Sequence, residues 1–240
     1  MRRLFYFIIA MVICTGNALA FELENEPAEG LSWMGIFGMN ISKLQNSGYG
    51  AKAGATMGIR AEYVLPKAHG TYITAGLDWT MKGGKTSVIY DDGIINADAT
   101  MKYALHYIEI PIRAGFRYNI TEDFGVYGEF GPFFSVGIGG RHRMNIDGDG
   151  DAVRLEEEAN NFKAFKNYGY PVLSFQRWDA GLGFRIGAEY AHHYNLMIGC
   201  DWGLADIFRN SLRDDFFNQT GTRLPKVRNF HFTITLGYRF

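Results

Sequence analysis

The sequence has little cysteine, little proline and almost no net charge, and these shortages exclude several classes of protein. Its two cysteines are Cys14 and Cys200, and we expect the first to be removed with a signal peptide, which excludes an intramolecular disulfide. With a formal net charge of −1, the sequence lacks the excess of lysine and arginine that binds nucleic acid, so we exclude nucleic acid as a partner. No run of about 20 apolar residues follows the N-terminal region, which excludes spanning helices.

The N-terminus has the composition of an export signal. A basic start precedes an apolar run over residues 4–14, and residues 18–20 read Ala-Leu-Ala, like a cleavage site. The run is too short to favour a retained membrane anchor, and Ile13 stands where a lipoprotein would need a small residue. We therefore expect residues 1–20 to be a signal peptide and residues 21–30 to be an acidic leader.

The sequence is rich in strict alternation of apolar and polar residues. From residue 230 to residue 240 the even positions are Phe, Phe, Ile, Leu, Tyr and Phe, whereas the odd positions are polar residues or glycine. A period of two predicts a β-strand with one apolar and one polar face. The same pattern predicts eight strands, over residues 31–42, 49–65, 71–82, 103–118, 124–141, 174–190, 195–205 and 227–240.

The lengths of the strands and of their connections favour a transmembrane barrel. The predicted strands have roughly 11 to 18 residues, whereas strands of ordinary soluble sheets have about five or six. Loops that we expect to be external alternate with short turns that we expect to be periplasmic, over residues 66–70, 119–123 and 191–194. Residues 31–240 are therefore predicted to be an all-β domain, an eight-stranded antiparallel transmembrane β-barrel in the cell outer membrane.

The two faces of the predicted strands differ in charge. The apolar face is almost uncharged, so we expect outer-membrane lipid to cover it. A soluble barrel would show the same alternation with its faces inverted, but the export signal, the strand lengths and the aromatic last strand favour the membrane. The other face carries the charges predicted to lie in the lumen, which are Arg60, Glu62, Asp78, Glu109, Arg113, Arg117, Glu129, Asp179, Arg185, Glu189, Asp201 and Arg239, with Lys52, Lys82 and Arg177 on the same face.

Acids and bases on this polar face are nearly equal in number, and this balance predicts how they are arranged. Eight strands enclose a lumen that is just wide enough to be filled by side chains. An unpaired buried charge is costly, so the opposite charges should pair. We expect a filled, ion-paired interior rather than a wide pore.

Two segments carry a resemblance to a known family. Residues 107–113, Tyr-Ile-Glu-Ile-Pro-Ile-Arg, and residues 236–240, Leu-Gly-Tyr-Arg-Phe, resemble the PorT-like outer-membrane β-barrel family of Bacteroidetes, and more loosely the small barrels OmpX and OmpA. The resemblance covers essentially the whole mature chain and implies the fold and the location. It also implies that Tyr238 and Phe240 belong to a signal read by the barrel assembly machinery. PorT itself is linked to type IX secretion, but most relatives have no assigned role.

One acidic segment resembles a calcium-binding loop. Asp147, Asp149 and Asp151 alternate with glycine, and Glu158 occupies the twelfth position, where such loops place a bidentate ligand. Ala152 stands where a glycine should make the sharp turn, and no clear helix pair flanks the segment. We favour a solvated acidic loop and predict no metal and no cofactor.

The sequence leaves three hypotheses about function. The favoured one is a barrel with a structural or partner-binding role through its external loops, in which residues 142–170 and the acidic-aromatic segment 214–217 are candidates for a protein-binding surface. The others are a narrow channel or transporter of small solutes and a lipid-modifying enzyme at the rim. Because the histidines are scattered, we expect no enzyme. Residues 156–166 could be briefly helical, and the pattern does not decide whether 142–170 folds outward or into the lumen.

Overall fold

The computed structural model describes residues 29–91, 96–147, 162–167 and 173–240. The predicted signal peptide and most of the predicted leader lie outside these residues. Within the described ranges the chain forms one helix, α1 at Asn210–Thr220, and eight strands. The strands are β1 (Gly30–Gln45), β2 (Lys52–Val64), β3 (Thr71–Asp91), β4 (Asn96–Asn119), β5 (Phe124–Asp147), β6 (Trp178–Tyr190), β7 (Tyr194–Gly203) and β8 (Arg228–Arg239).

The strands close into a ring. Each strand pairs antiparallel with the next along the chain, and β1 pairs with β8 from Met34 opposite Arg239 to Gln45 opposite Arg228. A closed ring satisfies the backbone hydrogen bonds of every strand, which is the condition for a sheet to cross a bilayer. The prediction of an eight-stranded antiparallel barrel is therefore confirmed.

Strands β3, β4 and β5 are six or more residues longer than predicted. β3, β4 and β5 have 21, 24 and 24 residues, and the β3–β4 ladder continues through the predicted loop 83–102 as far as Asp91 opposite Asn96. Alternation fails to predict this extension because it requires apolar residues on the face that meets lipid, whereas here the outward face carries polar residues such as Lys85 and Lys102. Gly83 lies within the extension at φ +150°, and a Cβ there would collide with the carbonyl oxygen of Tyr103.

Other differences lie at the loops. The predicted loop 206–226 contains α1, which ends at Gly221 in a left-handed conformation, with φ +70°, that glycine adopts without strain. The sequence allows a short helix over residues 156–166. The described end of this segment, residues 163–166, forms a turn, and Lys163 makes a β-bridge with Arg141 of β5. The helical prediction is wrong for these residues, and its remainder lies outside the described ranges.

The barrel has an apolar exterior and a polar interior. Met39, Trp178 and Phe37 point outward and are 72%, 69% and 63% exposed, whereas Arg60 and Arg113 point inward and are each 1% exposed. This is the inverse of a water-soluble fold and the arrangement that lipid requires. In the described part of the chain, no helix has the length and apolar character to cross a membrane.

The two ends of the barrel differ. Short turns after β2, β4 and β6 lie at one end, called here the turn end, where β1 begins and β8 finishes. The two long connections, over residues 148–177 and 204–227, lie at the other end, called here the loop end, together with the short connections after β1 and β3. The second long connection contains α1. Outward-facing aromatic side chains gather towards both ends, as in the girdles that mark membrane interfaces; they include Trp33, Tyr63, Tyr118, Tyr190, Tyr194, Tyr238, Trp178 and Trp202.

Deleting Phe240 is expected to reduce insertion into the outer membrane more than it reduces the stability of the finished barrel. The ring of Phe240 is 77% exposed, and its backbone N–H donates one hydrogen bond to Trp33 O at 2.8 Å. The measurements are the outer-membrane level of the truncated chain and the denaturant midpoint of the refolded barrel. Tyr190→Ala removes another exposed ring of the turn end and serves as the control. Normal membrane levels of the truncated chain would contradict the role as an assembly signal.

Candidate functional site

The middle of the lumen is filled by paired charges. Arg60 Nη2 lies 3.1 Å from Asp78 Oδ2, and its Nη1 lies 3.4 Å from Glu129 Oε1 across the barrel. Arg113 Nη2 donates to Asp201 Oδ1 at 2.8 Å, and Arg185 Nη2 lies 3.6 Å from the other oxygen of Asp201. The pairs join β2, β3, β4, β5, β6 and β7, so they tie opposite parts of the wall together.

A second group of charges closes the lumen at the turn end. Arg239 places Nη1 2.6 Å from Glu62 Oε1 and Nη2 2.8 Å from Glu189 Oε2, and Arg117 Nη2 lies 2.8 Å from Glu62 Oε1. The guanidinium of Arg117 also lies between two aromatic rings, 5.1 Å from the centroid of Tyr72 and 5.4 Å from that of Tyr127. Such cation–π contacts gain strength in a site from which water is excluded.

A third group lies towards the loop end and is built around Lys82. Its Nζ lies 2.8 Å from Glu109 Oε2 and 3.4 Å from Asp179 Oδ2, and Asn229 Nδ2 donates to the same Asp179 oxygen at 2.8 Å. The ammonium group also lies 4.7 Å from the ring centroid of Phe133. Lys82 is fully buried, so these contacts replace its whole hydration shell.

The structure thus brings all twelve predicted lumen charges together on the inner face, and none of them is more than 8% exposed. Of the three other charges assigned to that face, Lys82 belongs to the network. Arg177 immediately precedes β6 and donates a hydrogen bond to Gly137 O at 2.8 Å. Lys52 lies at the edge of the wall, where its ammonium group contacts the sulfur of Met81.

Sequence reasoning missed the role of His231. The lumen network holds seven carboxylates, from Glu62, Asp78, Glu109, Glu129, Asp179, Glu189 and Asp201, but six lysine and arginine cations, from Arg60, Lys82, Arg113, Arg117, Arg185 and Arg239. His231 Nε2 lies 3.0 Å from Asp201 Oδ2, so this imidazole is a further partner of the carboxylates beside the six cations. The sequence predicts that His231 lies on the polar face of β8, but it does not predict the contact of His231 with Asp201 of β7.

Asp201 and His231 also meet a third possible metal ligand. Glu109, Asp201 and His231 have ligand atoms within 4.8 Å of one another, a spacing that would suit a metal ion. Lys82 and Arg113 already donate to these carboxylates, so a metal ion would have to displace them. We therefore assign the group to the ion-pair network.

Inward-facing glycines make room for the long side chains. A Cβ at Gly183 would collide with Asp201 Oδ1 and would approach Arg113 Nη2 to 2.8 Å, and a Cβ at Gly199 would lie 2.5 Å from Arg185 Cγ. Gly115 leaves the same kind of space for the ring of Tyr72. The abundance of glycine in the sequence is thus partly a requirement of the filled lumen.

The loop end is sealed by an apolar cluster, called here the cap. Residues from β1, β4, both long loops and α1 pack together with little or no exposure: Leu44, Tyr103, Leu105, Tyr107, Ala164, Phe165, Phe175, Ile207, Phe208, Leu212 and Val227. Within segment 142–170, Ala164 and Phe165 therefore pack over the mouth, whereas residues 142–147 continue β5. Phe165 packs edge-on against Tyr107, with ring centroids 5.7 Å apart, and lies where a Cβ at Gly137 would collide with it.

Polar side chains tie the two long loops to each other. Arg209 donates to Phe165 O at 2.8 Å and to Phe175 O at 3.2 Å, so it joins the start of α1 to the preceding loop. Asp206 Oδ1 accepts hydrogen bonds from the backbone N–H groups of Phe208 and Val227, both at 3.2 Å. These bonds satisfy loop backbone that the cap removes from water.

The segment 107–113 that carried the family resemblance lies on the lumen wall. Tyr107, Glu109 and Arg113 point inward, where Glu109 pairs with Lys82 and Arg113 pairs with Asp201. Pro111 is on the same face and lacks the N–H of a regular ladder residue. The motif therefore supplies parts of the lumen network.

The remaining predicted site residues are at the two ends. Tyr238 packs edge-on against Phe240 and Tyr194, with ring centroids 5.4 and 5.6 Å apart, at the turn end. Asp147 is the last residue of β5 and is paired with Asp98 in the ladder. Asp149, Asp151 and Glu158 of the calcium candidate lie outside the described residues, so that candidate stays a prediction.

A closed eight-stranded barrel with an apolar exterior and a charge-filled interior is a small transmembrane β-barrel. Residues 7–240 match the model of the family described as the outer membrane protein beta-barrel domain. The chain belongs to this family, and the protein resides in the outer membrane.

Several solved structures of outer-membrane proteins are similar to this chain. Ail, the attachment invasion locus protein of Yersinia pestis, is 14% identical and matches 89% of this chain and 100% of its own, with a TM-score of 0.39. Neisserial surface protein A is 13% identical over 90% and 100% of the two chains, with a TM-score of 0.41. OprG from Pseudomonas aeruginosa is 10% identical over 91% and 99%, with a TM-score of 0.39. No curated protein matches the sequence.

Asp201→Asn is expected to destabilise the barrel by about 3–5 kcal/mol, because it leaves Arg113, Arg185 and His231 without their shared carboxylate. The measurement is the free energy of unfolding of the refolded barrel in denaturant. Asp123→Asn, at the exposed turn between β4 and β5, is the matched control and should change it by less than about 0.5 kcal/mol. An unchanged midpoint for Asp201→Asn would contradict the assignment of Asp201 to the centre of the network.

His142 makes the cap sensitive to pH. It lies on β5 beyond the last outward apolar residue of that strand, Ile138, and its ring packs edge-on against Tyr103 with centroids 4.7 Å apart. Burial lowers the pKa of the His142 imidazole to about 4, from an ordinary value of about 6.5. The neutral form therefore favours the closed cap, so its contribution is complete above about pH 6.5 and is lost as the pH falls towards 4.

The methyl NMR signal of Ala164, which is fully buried in the cap, should report this loosening between pH 7 and pH 4. His142→Phe keeps an aromatic ring and removes the titrating group, so its Ala164 signal should stay constant. His192→Phe changes an exposed histidine of the turn end and should keep the response of the original protein. A response that survives His142→Phe would assign the effect to another group.

Proposed function

We propose that the protein is a closed, non-conducting barrel that holds its capped loop end as a binding platform for a partner outside the cell. The observation that carries this proposal is the occupied lumen. Three successive groups of paired charges, around Arg239, Arg60 and Lys82, fill the cross-section, and the cap covers the last of them. A solute would have to separate buried ion pairs in order to pass.

The outer surface of α1 supports the platform role. Leu212 anchors α1 in the cap, whereas Asp214 and Phe217 face away from it, and Phe217 is 43% exposed. The guanidinium of Arg223 lies 5.4 Å from the ring centroid of Phe217. An exposed aromatic side chain next to charged groups is typical of protein-binding surfaces.

A finer assignment to the PorT-like branch is part of the same proposal. It is supported by the Tyr-x-Glu-x-Pro pattern at residues 107–111, whose side chains build the lumen wall. The alternating aromatic residues that end in Phe240 support recognition by the barrel assembly machinery, with the predicted signal peptide directing export.

Recording from planar bilayers tests whether the barrel is closed. The purified protein, inserted into the bilayer, should give no steady unitary conductance, whereas a large-pore porin inserted in the same way should conduct. Insertion itself is checked by heat-modifiable gel mobility of protein recovered from the same preparation. A reproducible unitary conductance would overturn the proposal in favour of the narrow channel.

A further inference from the structure

A patch of cations lies on the outer wall of the barrel at the loop end. Lys85 of β3 is opposite Lys102 of β4, and Lys102 is opposite Arg143 of β5, so three neighbouring strands present positive charge in one row. Arg141 points outward from β5 two residues before Arg143. All four side chains are exposed, and together they form what we call the wall patch.

The row carries an electrostatic cost in the free protein. Like charges placed directly opposite each other on paired strands destabilise a sheet. Among the described residues, no carboxylate forms an ion pair with any of the four cations, although the lumen cations are all paired. Burial and the charges of Arg143 and Lys102 lower the pKa of the nearby Lys52 ammonium, which is consistent with crowded positive charge.

The surroundings of the wall patch offer donors for an anion. The next outward row consists of Ser87, Thr100 and Asn145, and the Oγ atoms of Ser87 and Thr100 are 3.2 Å apart. A depression of about 180 Å³ is lined by Arg141, His142, Arg143 and Asn145. Guanidinium, ammonium and hydroxyl groups together match the oxygens of phosphate.

The position of the patch identifies the source of that phosphate. On β5, Arg141 lies three residues beyond the outward apolar Ile138, and on β4, Lys102 lies six residues beyond Ile108, so the cations stand about 10 to 20 Å of strand above the apolar band. The patch is therefore continuous with the apolar band and extends over a greater height than one compact phosphodiester covers. A lipid whose phosphates lie on an extended sugar head group would reach it while its acyl chains cover the band.

We propose that the wall patch binds the head group of a multiply phosphorylated glycolipid in the surrounding leaflet. The glycolipid phosphates neutralise the cation row across β3, β4 and β5, and the apolar band below holds the acyl chains. This site lies on the lipid-facing wall and is independent of the proposed platform on α1.

The test measures lipid binding to the intact barrel in phosphatidylcholine nanodiscs that contain a lipopolysaccharide with a phosphorylated inner core. The variant Lys85→Gln/Lys102→Gln/Arg143→Gln should bind this glycolipid roughly a hundredfold more weakly, because each surface cation contributes about a factor of five. The control variant Lys67→Gln/Lys166→Gln/Lys226→Gln removes the same charge elsewhere and should bind as the original protein does. Heat-modifiable gel mobility verifies that each variant is a folded barrel.

Four further probes identify the ligand chemistry. Enzymatic removal of the glycolipid phosphates should abolish the difference between the variants, and inorganic phosphate should compete weakly. Equal binding of phosphatidylglycerol at matched charge would overturn the proposal in favour of a general affinity for anionic lipid. An equal loss in the control variant, or preferential binding of a soluble heparin fragment to the wall patch, would overturn it as well.

Discussion

The structure depends on one electrostatic constraint: a charge inside a narrow lumen must have an opposite charge beside it. The wall of this barrel excludes water from its interior, and transfer of an unpaired ion into such a place costs several kcal/mol. Arg60, Arg113 and Lys82 are almost completely buried, and each contacts at least two carboxylates. The register of the strands and the inward-facing glycines both serve to satisfy these pairs.

The fold was largely predictable because the membrane imposes a period of two on every crossing. Wherever one face meets lipid, as from Ile108 to Tyr118, alternation located the strand and its lumen side correctly. The prediction failed where lipid was absent. Beyond Lys82 and Arg141 the outward face changes from apolar residues to cations such as Lys85, Lys102 and Arg143, so the β3–β5 extensions looked like loops, although their backbones pair regularly.

The lumen pairs were harder to predict than the lumen residues. A period of two places Asp201 and His231 on the inner face, but their contact depends on the register of β7 against β8. The cap was harder still, because Phe165, Phe175 and Ile207 lie in segments without any period. Their contacts form between two loops that are separated by two strands, and local sequence patterns do not predict such non-local contacts.

The long-range ion pairs have a mechanical consequence for a wall without disulfides. A single sheet rolled into a tube bends easily, and lateral pressure from lipid would tend to flatten it into an ellipse. Arg60 to Glu129 spans β2 to β5, Lys82 to Asp179 spans β3 to β6, and Arg113 to Asp201 spans β4 to β7. These ion pairs cross the lumen in different directions, so they resist flattening of the barrel and maintain its circular cross-section.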